Sequence, residues 1–117
     1  MIKDKDVNSY LKKRQEIEAP NHHDLLPTQL RKERLKQLKL DNLIGPELKK
    51  VFDTQIKSFD NYQLNLRVYI PFENEKNKKT PIILFFHGGG FVMGNLDTHD
   101  LTCRSICLAS QMIVVAV

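Results

Sequence analysis

The densest chemical signal in the 117 residues is His87-Gly88-Gly89-Gly90-Phe91, followed by Gly94. A glycine costs about 1 kcal/mol more chain entropy than an alanine, so three in a row imply a backbone that takes positive φ or comes close to another group. Two kinds of anion suit such a turn. Glycines that open a helix can cradle a phosphate. Read as G-x-x-x-x-G-K-[ST] from Gly89, however, the chain has Asn95-Leu96 where the lysine and hydroxyl belong, and read as G-x-G-x-x-G from Gly88 it ends on Met93. Both nucleotide readings fail at a required residue. The other anion is the oxygen that becomes charged when an ester carbonyl is attacked. It is held by converging N–H groups, which glycines supply without a Cβ obstructing the substrate. A His-Gly-Gly-Gly run after a central strand matches that use, the plain alternative being that the glycines only turn the chain.

Other reactive residues are sparse. His22 and His23 are neighbours, which sets them about 100° apart on a helix and on opposite faces of a strand, so no metal site is expected there. Cys103 and Cys107 form neither a C-x-x-C pair nor part of a zinc-type cluster and read as reduced thiols on one helix. None of Ser9, Ser58, Ser105 or Ser110 has a glycine two residues away on either side, so the G-x-S-x-G nucleophile elbow is missing from these residues.

The elements that must position the glycine turn follow from periodicity. A weakly amphipathic helix is expected from Asp4 to about Ile17, ending at Ala19-Pro20, with a loop from Asn21 to Leu26. Pro27 suits the first turn of a second helix to about Leu40, with Leu30, Leu35 and Leu38 on its buried side and residues 31–34 on its wet side. After Val51 the period becomes two: strands at about Phe52 to Ser58 and Leu64 to Ile70, turning at Asp60-Asn61, make a hairpin. Residues 73–80 read as a polar loop. The continuous apolar run Ile82 to Phe86 predicts a strand covered on both faces, as in a parallel sheet. A helix from about Thr98 to Ser110 and a strand from Met112 to Val117 complete a right-handed β-α-β unit. On that helix Asp100, Arg104 and Gln111 share one stripe, predicted to be the only wet one.

Composition narrows the partners. Hydrophobic residues are 41% and charged residues 27% of the chain, which suits one small globular core. The net charge of +4 resides in residues 1–50, with 12 basic and 8 acidic groups, while residues 51–117 carry six of each. The basic residues alternate with acidic ones and no aromatics interleave, so nucleic acid is not an expected partner. No apolar run approaches the roughly 18 to 20 residues of a membrane span, and the chain reads as cytoplasmic.

Residues 82–117, through HGGGF, Gly94 and the LDTHD stretch from Leu96 to Asp100, resemble the corresponding part of the hormone-sensitive-lipase-like esterases, an α/β-hydrolase family. The resemblance is strong over 51–117. Over 1–50 it lies in the order and helical character of a cap segment. It implies an α/β class and an incomplete α/β-hydrolase fold: a cap-like segment at 1–50, and the hairpin and β-α-β unit of the core at 51–117, with the strand from Met112 lying between the hairpin and the strand from Ile82. It implies hydrolysis of small carboxylic esters without a cofactor, by a serine with histidine and aspartate partners. Gly89 and Gly90 would be the main oxyanion donors, with Gly88 shaping the turn, His87 holding it and Phe91 packing beside the acyl site; Asp97 or Thr98 would cap the following helix, and for Asp97 and His99 that capping role is expected over a catalytic one. In this family the serine, acid and histidine follow the segment matched here, so the chain is expected to be inactive alone. The alternative is a non-catalytic partner that pairs its open sheet edge with a complementing C-terminal chain, or with itself.

Overall fold

The computed structural model describes residues 5–16, 25–41, 44–72 and 81–117. The histidine pair at 22–23 and the polar loop at 73–80 lie outside them. The order is α1 (Lys5–Glu16), α2 (Pro27–Asp41), β1 (Lys50–Lys57), β2 (Gln63–Ile70), β3 (Ile82–Phe85), α3 (Asp100–Ser110) and β4 (Ile113–Ala116).

Pro27 opens α2, and the turn before it closes reciprocally: the Leu26 carbonyl accepts from the amides of Gln29 and Leu30, while the Leu26 amide donates to Gln29 Oε1 at 2.8 Å. Leu30 and Leu35 are half-buried and residues 31–34 exposed, as their spacing predicts. The hairpin turns where Asn61 takes φ 66, with its amide on the Ser58 carbonyl at 3.0 Å; asparagine tolerates this left-handed conformation. β1 and β2 pair from Lys50↔Ile70 to Lys57↔Gln63.

The sheet order is β1-β2-β4-β3, with β4 antiparallel to β2 and parallel to β3. That is the order the family resemblance implies. One row of the register, Val51, Tyr69, Val114 and Ile83, faces α3, and the core of Tyr69, Val114, Ala116, Cys103 and Cys107 forms there.

Two expectations are corrected. β3 is covered on one face only: Ile83 and Phe85 pack on the core, whereas Ile82, Leu84 and Phe86 are 59%, 61% and 69% exposed. A continuous apolar run specifies a strand able to be buried on both faces, but α3 supplies cover for one, and no described residue covers the other. The stripe of α3 expected to be wet is instead turned toward the sheet. Asp100 pairs with Arg104 and with Arg67 of β2, which offsets the cost of partly burying these charges, while Leu101 and Leu108 face outward. Gln111 lies past the helix at φ 53, donating to the Leu108 carbonyl at 2.7 Å. No described helix is long and apolar enough to cross a membrane.

Candidate active site at the glycine turn

β3 and β4 end side by side, with the Val117 amide donating to the Phe85 carbonyl at 3.0 Å, and the glycine turn leaves the sheet at that carboxyl end. Gly89, Gly90 and Phe91 take φ values of 140, 59 and 59. The Gly89 carbonyl accepts from both Val92 (3.1 Å) and Met93 (2.9 Å), closing one left-handed turn. A Cβ on Gly89 would collide with the Met93 carbonyl, and one on Gly94 (φ 103) with the His87 ring and the Gly88 carbonyl. Gly88 to Phe91 are all exposed, and among the described residues nothing accepts a hydrogen bond from their amides. The turn thus presents backbone N–H donors to the space beyond the sheet.

His87 Nδ1 donates to the Gly88 carbonyl at 2.9 Å, and its ring stacks on His99, centroids 5.4 Å apart and planes 18° apart. The ring of Phe91 is fully exposed. Beyond Gly94, Asn95 and Thr98 bond reciprocally: the Asn95 amide to Thr98 Oγ1 and the Thr98 amide to Asn95 Oδ1, both at 2.9 Å. Neither Asp97 nor Thr98 caps α3, contrary to expectation. The N-cap position is His99, without a side-chain cap, because Asn95 engages Thr98 and Arg67 engages Asp97.

Arg67 was not singled out by sequence, yet it organises the charge beside the turn. It meets Asp53 through Nε at 2.6 Å and Nη2 at 3.0 Å, Asp97 through Nη2 at 3.0 Å and Asp100 through Nη1 at 3.2 Å. The hydrogen bond from Arg67 holds the Asp53 carboxyl below its ordinary range, and the same bond raises the pKa of Arg67. Arg104 carries the network onward, from Asp100 (2.6 Å) to the Pro46 carbonyl (3.3 Å). The sequence signal was partial: Asp100 and Arg104 stand four apart, a helical ion-pair spacing, but nothing local marks Arg67 as the third member. Arg31 on α2 was missed too; its Nε donates to the Val92 carbonyl at 2.6 Å, tying the N-terminal segment to the turn. An open cleft of about 750 Å³ adjoins the site, lined among others by Asp53, Tyr62, Leu64, Arg67, His87 and Asn95.

Residues 83–117 match the α/β hydrolase fold family. The strand order and a solved ester hydrolase from the metagenome of Lake Arreo agree: its structure superposes with a TM-score of 0.78 at 26% identity over 95% of this chain and 35% of that one. The chain carries an incomplete α/β-hydrolase fold. The thermostable carboxylesterase EstE1, cloned from a metagenomic library, superposes on this chain with a TM-score of 0.70 at 31% identity, over 82% of this chain and 32% of that one. Esterase LipI of Mycobacterium tuberculosis is 48% identical over 54 residues, 46% of this chain and 17% of LipI. Carboxylesterase NlhH of the same species is 36% identical over 85 residues, 72% of this chain and 25% of NlhH. The chain therefore spans a quarter or less of these curated relatives.

Proposed function

We propose that residues 87–94 are the oxyanion turn of a carboxylic ester hydrolase, with the amides of Gly89 and Gly90 as donors, Gly88 shaping the turn and His87 holding it. The observation that carries this reading is the set of unpartnered, exposed amides at the carboxyl end of β3, where open α/β sheets place their sites. Esters with small acyl groups are the substrate class, Phe91 flanks the acyl side, and the chemistry uses no cofactor. The esterase relatives support the same reading. Residues 1–50 act as a cap-like segment on the core at 51–117, held to the turn by Arg31. An oxyanion forms only after a nucleophile attacks, and these 117 residues hold no G-x-S-x-G, so the chain does not turn over esters alone.

The test is a chimera in which residues 82–100 replace the matching segment of the Lake Arreo hydrolase. It should hydrolyse a short-chain p-nitrophenyl ester, and Gly89→Trp should lower its rate by about 10²-fold or more. A Gly89→Trp chimera as fast as its parent would overturn the assignment. The 117-residue chain should show no hydrolysis above its own Gly89→Trp control.

A second reading is favoured by the open side of β3, whose Ile82, Leu84 and Phe86 face outward: a non-catalytic partner that binds a complementing chain along this edge. It predicts that the chain restores folding or activity to a hydrolase lacking the matched segment.

A further inference from the structure

We propose that Arg67 is a positioning residue for the oxyanion turn, acting through Asp97, Asp100 and the stacked imidazoles of His99 and His87. The inference rests on the oxyanion reading, but its mechanical content is separate. β2 lies inside the sheet between β1 and β4, so Arg67 projects from an anchored strand. Its guanidinium grips Asp97 at 3.0 Å and Asp100 at 3.2 Å, on either side of His99 in the chain, and so constrains the segment that carries the His99 ring, which itself meets Thr98 Oγ1 at 2.8 Å and the Phe85 ring. His99 stacks on His87, His87 Nδ1 binds the Gly88 carbonyl, and Gly94 packs against the same ring. The Gly88 carbonyl belongs to the peptide unit whose N–H is the Gly89 donor. Orienting that carbonyl therefore orients that donor, and the line of contacts from β2 ends on the amide that must point at a developing oxyanion.

The residue type matters. A planar guanidinium serves three carboxylates in three directions, with Nε and Nη2 on Asp53, Nη2 also on Asp97 and Nη1 on Asp100, whereas an ammonium on a flexible stem cannot hold the same directions at once. Without Arg67, the carboxylates of Asp53, Asp97 and Asp100 would be left together with Arg104 as their only nearby cation among these contacts. Asp97, at 64% exposure the freest of the three, would swing outward and take the segment before α3 with it.

The test is a comparison of Arg67→Lys, Asp97→Asn and Asp53→Asn in the ¹⁵N-labelled chain. It follows the amide resonances of Gly88, Gly89 and Gly90, and hydrogen exchange at the bonded amides of Val92, Met93 and Thr98, with α3 as internal reference. Arg67→Lys and Asp97→Asn should shift the glycine resonances and quicken exchange at the bonded amides about tenfold, the effect of losing a charge-assisted hydrogen bond, with α3 unchanged. Asp53→Asn, altered on the outer strand β1 and leaving Arg67 on Asp97 and Asp100, should move the glycines less than either. If Arg67→Lys unfolds, Asp97→Asn decides alone, because it leaves Arg67 paired with Asp53 and Asp100. Glycine resonances that stay still in Asp97→Asn, or that move equally in Asp53→Asn, would overturn the proposal and leave the cluster a stabilising one. Failure of the oxyanion reading is visible elsewhere, as an active Gly89→Trp chimera with these shifts intact.

Discussion

Tyr69 donates its hydroxyl to Asp100 Oδ1 at 3.0 Å from a side chain that is wholly buried under α3. The same carboxylate takes Arg67 on one oxygen and Arg104 on the other. Burial first, and the Asp100 charge second, raise the Tyr69 pKa. Burial likewise raises the thiols of Cys103 and Cys107, so three of the groups that fill this core must stay neutral to remain there.

Alkaline instability follows. A group whose folded pKa lies above its unfolded value adds stability that is complete below the unfolded value and is lost as pH rises through the folded one. The loss should start near the ordinary thiol value of 9.0 and steepen beyond the ordinary tyrosine value of 10.0. Urea midpoints measured from about pH 7 to 11 should fall across that window, and Cys103→Ala should flatten its lower part. A midpoint constant to the top of the range would show that the core tolerates these charges.

Within the glycine motif, two alanine substitutions should part company. Gly94 sits at φ 103 with its missing Cβ aimed at the His87 ring and the Gly88 carbonyl, so Gly94→Ala should cost about 1 to 3 kcal/mol and separate the two imidazoles. Gly88 has no positive φ and open space where a Cβ would go, so Gly88→Ala should change stability by less than about 1 kcal/mol. Chemical denaturation of the two variants settles the contrast, and equal costs would contradict the close approach at Gly94.

Phe91 is the non-glycine residue of the turn in the left-handed region, at φ 59, and its ring packs on no described residue. That conformation costs an L-residue about 1 to 2 kcal/mol, and asparagine tolerates it better. Phe91→Asn should therefore raise stability by about 0.5 to 1 kcal/mol. A loss would mean that the ring has a packing role.

The hairpin, the third strand and the position of the glycine turn were legible because each rests on a local pattern: alternation from Leu64 to Ile70, an unbroken run from Ile82, and three glycines after it, whereas the four-strand order came from the family resemblance, since no local pattern says which strands are neighbours. The partners of Asp100 and Arg104 were not. Helical periodicity puts them on one stripe but carries no sign of which way that stripe faces, and charge argued for water where Arg67, some 33 residues earlier in the chain, stood opposite. The cap at α3 misled for a related reason. Asp97 and Thr98 have the chemistry of caps, yet each was already engaged, one by a strand and one by a side chain three residues back. Alternation on β2 showed two faces without telling which one α3 covers, and the face bearing Arg67 and Tyr69 is the covered one.

The open side of β3 yields the last prediction. β3 ends the sheet, and its stretch from Ile82 to Phe86 contains no charge and no proline, the usual devices that keep an edge from pairing with another chain. Its exposed side chains sharpen the effect, since burying an isoleucine, leucine or phenylalanine is worth about 1.5 to 3 kcal/mol each. Three such residues, two on this short strand and Phe86 just past it, rival a good part of a domain's whole stability of about 5 to 15 kcal/mol. The 117-residue chain should therefore associate at micromolar concentration, with sedimentation showing species larger than a monomer. Leu84→Lys places a charge on the exposed face of β3 without entering the core, because Leu84 points away from the Ile83 and Phe85 side. It should shift the distribution toward monomer while leaving the far-ultraviolet circular dichroism unchanged. Association that is indifferent to Leu84→Lys would move the contact to another surface, and a monomer with a sharp, reversible thermal transition before any substitution would show that this edge is protected in solution.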